Sequence, residues 1–449
     1  MRLFAKESTY NTMLDIKYIR DNADAIQTAA KNKQIDIDIS NLLSLDEKRR
    51  SLLQHIEDLK AQKNAINKEI VAASSEEKKN ILQRANAIKE RTEILEKEFT
   101  EIKEEFDKLM VCVPTIPSPD TPIGKSSEDN VEAERWGDVP KFDFEPKDHV
   151  QLGKDLGILD LERGVKVSGF RGYYIKGDGV LLMMGFIMYA LQKLAAKGYN
   201  LMIPPTIAKE FVLFGSGYFK GDSYDEDTDE IYALNSGEKD SLGKRQQKFL
   251  VGTAEPSLLA YYADELLKEE DLPIRFTGFS QCYRSEIGSY SKDLKGIYRV
   301  HEFMKVEQVV LCRADIEESE QILNELVENA KELHQDLELP YRMLRICTGD
   351  LAPGKYKSYD IEAWMPGKGA YGETGTASNF VDWQARRLNV RYTTKEGKNI
   401  PVFMLNNTAL PTPRIFISIL ENYQQKDGSV RVPDVLVPFV GKKVITKAV

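Results

Sequence analysis

Cysteine and histidine are scarce in this sequence of 449 residues. Each occurs four times, and the cysteines (Cys112, Cys282, Cys312 and Cys347) form no Cys-x-x-Cys pair. Scattered thiols of this kind are typical of a reducing compartment and argue against a disulfide framework or a Cys/His zinc site. We therefore expect no zinc, and we interpret each cysteine as a small apolar residue of the core.

Long apolar runs and excess positive charge are also missing from the sequence. No stretch approaches the roughly 18 apolar residues of a membrane span, and the most apolar one, 180–196, is interrupted by Gln192 and Lys193. The first twelve residues lack a secretory apolar core, so we interpret 1–12 as an N-terminal extension. With a net charge of −9, any RNA contact must use local basic clusters. We expect a cytoplasmic protein that does not associate with membranes.

Two series of apolar residues at seven-residue spacing predict a long helical hairpin. The heptad positions are Leu45, Leu52, Leu59 and Ile66, then, after a polar break at 73–77, Ile81, Ile88, Leu95, Ile102 and Leu109. Periodicity alone is more typical of a dimerising coiled coil or a spacer, but two matched series around a break favour an antiparallel hairpin. Basic residues lie towards its tip or on outward faces: Lys60, Lys63, Lys68, Lys78, Lys79 and Arg84. They could contact RNA phosphates, or simply be solvated.

Three prolines within 114–119 predict an extended linker and a domain boundary. We therefore divide the rest of the chain into an arm domain, 13–118, and a second domain, 119–449. In the second domain, an apolar helix is predicted at 180–197 and a strand at 199–203. A self-complementary apolar helix would suit a twofold homodimer, and a core helix in a monomer is the alternative.

The stretch 279–307 holds the densest set of candidate functional residues. Strand alternation places four side chains on one face: His301, Phe303, Lys305 and Glu307. Arg284 can bind an anionic oxygen bidentately, Phe303 offers a flat face to a base, and Glu286 and Glu307 offer acceptors to an amine, a hydroxyl or a metal. The whole stretch favours a nucleotide-binding hairpin, whereas Arg-x-Glu alone would more often be an ordinary amphipathic hairpin.

This stretch resembles motif 2 of the class II aminoacyl-tRNA synthetases. Its residue sequence resembles that of motif 2 in the seryl-tRNA synthetases. The resemblance covers nearly the whole chain from Met13 onward, and the helix, strand and Pro204-Pro205 resemble the dimer-forming motif 1. It implies an α+β fold, in which an antiparallel helical hairpin precedes a catalytic domain with an antiparallel sheet flanked by helices. It further implies activation of L-serine with ATP and transfer of the seryl group to tRNA(Ser), whose long variable arm the hairpin would bind.

The resemblance also implies roles for individual residues. Serine would be bound by Thr253, Ala254, Glu255, Arg284, Glu307 and Thr408. ATP would be bound by Arg284, Ser285, Glu286, Val300, Phe303, Glu373, Thr374, Gly375, Thr376 and Arg414. Glu373 and Thr376 would hold Mg²⁺, a hard ion that prefers oxygen ligands. The expected catalytic residues are Arg284, between the serine carboxylate and the α-phosphate, and Arg414, on the γ-phosphate.

Two segments depart from the family pattern. In 371–379, glycines stand at Gly372 and Gly375 where the family has Arg and Ser, and 405–414 reads LNNTALPTPR where the family has LNGSGLAxGR. These replacements keep Arg414 and several hydroxyl groups, so we expect a divergent but active enzyme. The alternatives are a non-catalytic RNA-binding paralogue and an enzyme that delivers the activated amino acid to a carrier protein. The stretch 215–248 is longer than in the family, and we expect a surface loop or small hairpin there.

Overall fold

The computed structural model describes residues 14–72, 74–221, 223–235, 237–239, 243, 246–287 and 295–447. The chain divides into two compact units, Met1–Pro114 and Thr115–Val449. The predicted extension, 1–12, lies outside the described residues, and so does part of the long stretch 215–248.

The first unit is a helical hairpin with a small base. Its helices are α1 (Ile16–Asp21), α2 (Ala23–Asn32), α3 (Ile39–Ala72) and α4 (Ser75–Cys112). Helices α3 and α4 pack against each other, which confirms the predicted hairpin. A capping box starts α4, because the backbone N–H of Ser74 donates to the Glu77 carboxylate at 2.9 Å. Near the base, the Arg49 guanidinium lies 4.8 Å from the ring centroid of the buried Phe106.

The second unit is built from short helices and many strands. Its helices are α5 (His149–Asp155), α6 (Leu161–Ser168), α7 (Asp178–Ala196), α8 (Glu210–Ser216), α9 (Glu255–Leu259), α10 (Ile316–Asp336), α11 (Trp383–Leu388), α12 (Thr412–Asn422) and α13 (Val437–Val440). Its strands are β1 (Val131–Trp136), β2 (Leu159–Asp160), β3 (Tyr174–Ile175), β4 (Asn200–Met202), β5 (Ile207–Lys209), β6 (Tyr232–Leu234), β7 (Lys248–Leu250), β8 (Leu266–Lys268), β9 (Ile274–Tyr283), β10 (Glu302–Cys312), β11 (Tyr341–Arg345), β12 (Lys357–Met365), β13 (Ala370–Asn379), β14 (Arg391–Thr393), β15 (Asn399–Pro401), β16 (Phe403–Pro411), β17 (Val430–Arg431) and β18 (Val444–Ile445).

An eight-stranded sheet forms the centre of this unit. Its strand order is β1-β11-β12-β13-β16-β10-β9-β4, and every neighbouring pair is antiparallel except β4 and β9. Helices α7, α10 and α12 contact the sheet and share its main apolar core. The predicted α+β fold, with an antiparallel sheet flanked by helices, is confirmed. Strand β6 lies inside the stretch 215–248 and pairs with β7, which begins at its last residue, Lys248, so a small hairpin closes the end of this stretch.

The apolar helix predicted at 180–197 is α7. By length and composition alone it is apolar enough to cross a membrane, but the core helix of a soluble protein passes the same test. Leu182, Phe186, Ile187 and Ala190 on this helix are fully buried in the core beside the sheet. Core packing therefore accounts for one face of α7, whereas Leu181 on the same helix is 45% exposed.

Candidate active site

A cleft over the sheet brings together most of the residues predicted to bind ATP. Its lining consists of Arg284, Glu286, Tyr298, Arg299, Val300, Phe303, Lys305, Glu373, Thr374, Gly375, Thr408, Pro411, Pro413 and Arg414. Two of the predicted ATP ligands, Ser285 and Thr376, are outside this lining. The Ser285 backbone N–H donates to the Glu230 carbonyl at 3.4 Å. The cleft therefore unites motif 2 with strand β13 and the start of α12.

Arg284 lies just beyond the end of β9, where it begins the turn of motif 2. Its backbone N–H donates to the His301 carbonyl at 2.9 Å, which keeps it level with the first residues of β10. Its Nε donates to the Gly252 carbonyl at 3.4 Å, and its guanidinium lies 5.5 Å from the Phe303 ring centroid. The guanidinium and the aromatic face thus border the same part of the cleft, where an anion and a base can bind side by side.

Glu286 is held by two arginines although its backbone is in the left-handed region. Its φ is +56°, and its side chain is buried. The carboxylate accepts a hydrogen bond from Arg299 Nη1 at 2.8 Å, and Arg171 Nη1 lies 3.4 Å away. These contacts fix the carboxylate at the wall of the cleft.

Arg414, in the first turn of α12, reaches across to strand β13. Its Nη1 donates to the Glu373 carbonyl at 2.8 Å and lies 3.2 Å from Glu373 Oε1. The Tyr298 ring centroid is 4.5 Å from the guanidinium. The Glu373 side chain is 44% exposed, and its partial burial raises its pKa, but Arg414 and then Arg284 lower this pKa more, so it lies below its ordinary value. The Glu373 carboxylate is therefore ionised at neutral pH.

A β-bulge places Glu373 and Thr376 on the same face of β13. In the pairing with β12, Ile361 is opposite Gly375 and Glu362 is opposite Glu373, so Thr374 is the extra residue. Without it, side chains three residues apart would point to opposite faces. The Thr374 hydroxyl is buried and donates to the Ile361 carbonyl at 3.1 Å. Thr374 can therefore contact a ligand in the cleft only through its backbone.

Asp360 is a candidate site residue that the sequence reasoning missed. It is directly opposite Thr376, whose hydroxyl donates to Asp360 Oδ1 at 2.7 Å. Burial and then the negative charge of Glu373 raise the pKa of Asp360 to about 7. The alternation of Asp360 and Glu362 along β12 was a signal in the sequence, but nothing in it showed that β12 pairs with β13.

A second group of polar residues is buried beside the cleft, around Glu307. Lys305 Nζ lies 2.8 Å from Glu307 Oε2, and the two side chains are 7% and 1% exposed. The Thr408 hydroxyl donates to the same oxygen at 3.1 Å, and Asn406 Nδ2 donates to Oε1 at 3.2 Å. A bulge at Ala409 sets this pairing, because Val306 is opposite Leu410 and Glu307 is opposite Thr408. Neither Lys305 nor Asn406 was predicted as a ligand-binding residue.

Glu255, at the start of α9, is a buried carboxyl group whose hydrogen-bond partners are neutral. Gln384 Nε2 donates to its Oε1 at 2.8 Å, and the Tyr218 hydroxyl is 3.4 Å from Oε2. Burial, and then the negative charge of Glu307, raise its pKa to about 7. A bound ammonium group would supply the positive charge that this pocket favours. Sequence reasoning missed Gln384 and Tyr218, which no local motif marks.

The two neighbours of Glu255 in the predicted tripeptide differ in surroundings. Thr253 is 1% exposed, and its hydroxyl is 3.5 Å from the Glu255 backbone N–H. Ala254 is fully buried in an apolar cluster with Leu258. The Ala254 side chain thus packs in the core, and only its backbone is suited to a polar contact.

Comparison with known proteins finds similarity along nearly the whole chain. The family described as Seryl-tRNA synthetase N-terminal domain matches residues 13–117, and the tRNA synthetase class II core domain (G, H, P, S and T) matches 239–423. Serine–tRNA ligases of Borrelia garinii and Deinococcus radiodurans are each 42% identical, covering 96% of this chain and 98% of their own.

Solved structures agree with these sequence similarities. The crystal structure of seryl-tRNA synthetase from Pyrococcus horikoshii complexed with ATP aligns with a TM-score of 0.85 at 37% identity, covering 97% of this chain and 100% of that one. The cytoplasmic serine–tRNA ligase from Naegleria fowleri in complex with AMP aligns with a TM-score of 0.82 at 29% identity, covering 97% and 99%. The chain therefore belongs to the seryl-tRNA synthetase family of class II aminoacyl-tRNA synthetases, as its motifs predicted.

Proposed function

We propose that this chain is an active, ATP-dependent serine–tRNA ligase. It forms seryl-adenylate from L-serine and ATP and then transfers the seryl group to the 3′ end of tRNA(Ser). The observation that carries this proposal is that two buried carboxyl groups, Glu255 and Glu307, lie beside a cleft lined by Arg284 and Arg414. One carboxyl suits the ammonium of an amino acid, the other its hydroxyl, and the arginines suit phosphates.

The first step needs no nucleophile from the protein, because the serine carboxylate attacks the α-phosphorus and pyrophosphate leaves. Arg284 bridges the carboxylate and the α-phosphate, and Arg414 binds the γ-phosphate. The base stacks on Phe303, next to Glu286 and the backbone of Val300 and Gly375. Orienting the reactants and neutralising the charge that develops account for catalysis of this kind.

Serine is recognised at both of its polar ends. Thr253 and Glu255 bind its ammonium group, with Ala254 contributing backbone, while Glu307 and Thr408 bind its hydroxyl. An alanine molecule would leave the buried Glu307 acceptor without its donor, and such pockets reject the analogue by about 10⁴ or more. Threonine is excluded by the space that its extra methyl group would need.

Glu373 and Thr376 would hold a magnesium ion beside the ATP phosphates. Glu373 is ionised, 44% exposed, and on the same face as the Thr376 hydroxyl. An ion held by these two side chains would take its remaining ligands from ATP and water. An ion held by these two residues would neutralise charge on the phosphates.

The departures from the family pattern are compatible with activity, because the new glycines have close neighbours. A Cβ at Gly375 would meet the Thr408 carbonyl at 2.9 Å, and one at Gly372 would meet the Tyr298 ring at 3.0 Å. Both glycines therefore allow the close approach of residues that line the cleft. This argues against a non-catalytic paralogue.

The arm domain, 13–118, would bind the tRNA, and the catalytic domain, 119–449, would dimerise in the cytoplasm. Exposed lysines on the hairpin, such as Lys63, Lys78 and Lys79, suit RNA phosphates. Exposed apolar side chains on the second unit suit contact with a second copy of the chain: Val167 is 70% exposed, Phe170 54%, Leu181 45%, Leu201 45% and Ile203 84%. A tRNA-binding arm also argues against delivery to a carrier protein.

Amino-acid-dependent exchange of pyrophosphate into ATP tests the activation step. We expect exchange with serine but not with threonine, alanine or glycine, and its loss in Arg284→Ala and Glu307→Ala. Absence of exchange in a folded wild-type protein with Mg²⁺ would contradict the proposal and favour the RNA-binding paralogue. Exchange without charging of tRNA(Ser) would favour the carrier-protein alternative.

A further inference from the structure

A buried histidine–glutamate pair lies behind the ATP cleft. His149 begins α5, and Glu421 is near the end of α12; their side chains are 9% and 2% exposed. His149 Nδ1 is 2.8 Å from Glu421 Oε1, and the His149 backbone N–H donates to the same oxygen at 2.9 Å. None of the roles assigned above uses this pair.

Glu421 connects three separate segments of the second unit. Its Oε2 accepts a hydrogen bond from the Gly367 backbone N–H at 2.8 Å, in the turn between β12 and β13. Glu421 and Arg414 are seven residues apart on α12, about two turns, so they lie on the same side of that helix. The carboxylate thus fixes the helix that carries Arg414 to α5 and to the hairpin that carries Glu373.

The other ring nitrogen of His149 contacts the segment 295–300, which leads into β10. The Ile297 backbone N–H donates to His149 Nε2 at 3.3 Å, so Nε2 is the acceptor and Nδ1–H donates to Glu421. Gly296 precedes this contact with φ +72°, and a Cβ there would lie 1.9 Å from Nε2. Only glycine lets the backbone approach the imidazole this closely.

Tyr298 follows Ile297 directly and lines the ATP cleft. Its carbonyl is 3.4 Å from Arg414 Nε, and its ring is 4.5 Å from the Arg414 guanidinium. The two residues of this contact are therefore both connected to the His149 imidazole. Tyr298 is connected through its neighbour Ile297, and Arg414 is connected through Glu421 on the same helix, α12. We infer that His149 is a positioning residue that sets Tyr298 against Arg414 and so prepares the cleft for ATP. This inference rests on the proposed function.

Two substitutions separate the contacts of the imidazole. In His149→Gln, the amide oxygen can replace Nε2 as acceptor for the Ile297 N–H, whereas in His149→Asn the amide nitrogen replaces only Nδ1–H. In both variants the backbone N–H of residue 149 still donates to Glu421, so the variants differ mainly in the contact to Ile297. We expect His149→Asn, which loses that contact, to raise the KM for ATP about tenfold and His149→Gln to stay within about threefold of wild type. The KM for serine should change in neither. Equal KM values for ATP in the two variants would overturn the inference.

A pair of glycine variants gives the same test without altering His149. Gly296→Ala should displace Ile297 and raise the KM for ATP, whereas Gly397→Ala, which also has positive φ (+77°) but nothing within 4 Å of a Cβ, should leave it unchanged. The same effect of both substitutions would contradict the inference. If wild type showed no exchange, the proposed function would fail, and ATP dissociation constants from calorimetry would decide the role of His149 on their own.

Discussion

The ammonium of Lys305 lies 2.8 Å from the carboxylate of Glu307, and both side chains are almost fully buried. The same Lys305 Nζ donates to the Thr408 hydroxyl at 3.2 Å. Because Glu255 is also buried nearby and its pKa is raised partly by Glu307, this pocket concentrates negative charge. Lys305 is therefore the residue that balances the charge of Glu307 before any substrate arrives.

Replacing Lys305 tests this balance. Lys305→Met leaves Glu307 buried without its cation, and removing one partner of a buried ion pair typically costs about 3–5 kcal/mol of stability. We expect the KM for serine to rise about 100-fold, since Glu307 and Thr408 lose the ammonium that orients both of them for the serine hydroxyl, and the KM for ATP to change little. Steady-state pyrophosphate exchange measures both.

The control is a lysine of similar burial in a different ion-pair cluster. Lys357 is 9% exposed and pairs with Glu320 at 2.7 Å and Asp120 at 3.0 Å. Lys357→Met should lower the melting temperature but keep the KM for serine. An unchanged KM for serine in folded Lys305→Met would show that Glu307 does not bind the hydroxyl.

The pKa of Glu255 predicts how serine binding depends on pH. Burial and Glu307 raise this pKa to about 7, and the ammonium of serine binds only the ionised carboxylate. The KM for serine should therefore rise as pH falls below about 7, approaching tenfold for each further pH unit. Gln384 lowers this pKa through its hydrogen bond, so Gln384→Leu should move the midpoint to higher pH. A midpoint that does not move would contradict the assignment.

The Glu255 carboxyl also makes folding stability depend on pH, in the opposite direction: serine binding improves as pH rises, whereas stability falls. A folded-state pKa above the ordinary value of 4.5 means that the folded protein favours the protonated form. This contribution to the free energy of unfolding is fully present below about pH 4.5 and is lost as pH rises through about 7. Relative to Glu255→Gln, wild type without serine should be less stable at pH 8 than at pH 5, which urea denaturation at the two pH values measures.

The sequence predicts the helices and strands that carry the site better than it predicts the contacts between them. Heptad spacing predicts the hairpin of α3 and α4, and alternation correctly places Phe303, Lys305 and Glu307 on one face of β10. Both rules describe neighbours along one segment. Asp360 and Asn406 belong to the site only because β12 pairs with β13 and β16 with β10. That pairing is a property of the tertiary fold, which no local pattern contains.

The two β-bulges are a second feature of the site that the sequence pattern does not predict. An extra residue at Thr374 puts Glu373 and Thr376 on one face, and an extra residue at Ala409 sets Thr408 opposite Glu307. A strand pattern with a period of two residues would place Glu373 and Thr376 on opposite faces. Their proposed common role came from the resemblance to the family, and the bulge is what puts both side chains on one face.

Thr376 provides a test of the magnesium site. Thr376→Val removes the hydroxyl while keeping the shape, so the Mg²⁺ concentration for half-maximal exchange should rise about tenfold, whereas Thr376→Ser should stay near wild type. Thr393→Val, at a hydroxyl that donates to Asn399 on β15, is the control for loss of a hydroxyl elsewhere. Equal Mg²⁺ requirements in Thr376→Val and wild type would exclude Thr376 from the metal site.

Charge reversal on the hairpin tests whether it binds tRNA. Lys63, Lys78 and Lys79 are exposed, so replacing all three by Glu should leave pyrophosphate exchange unchanged. The KM for tRNA should rise at least about tenfold, and its dependence on salt should weaken, because fewer phosphates are neutralised. Lys268 and Lys426, whose side chains are 75% and 71% exposed in the second unit, provide the control when both are replaced by Glu. Equal losses in both sets would mean that net charge, rather than the hairpin, determines tRNA binding.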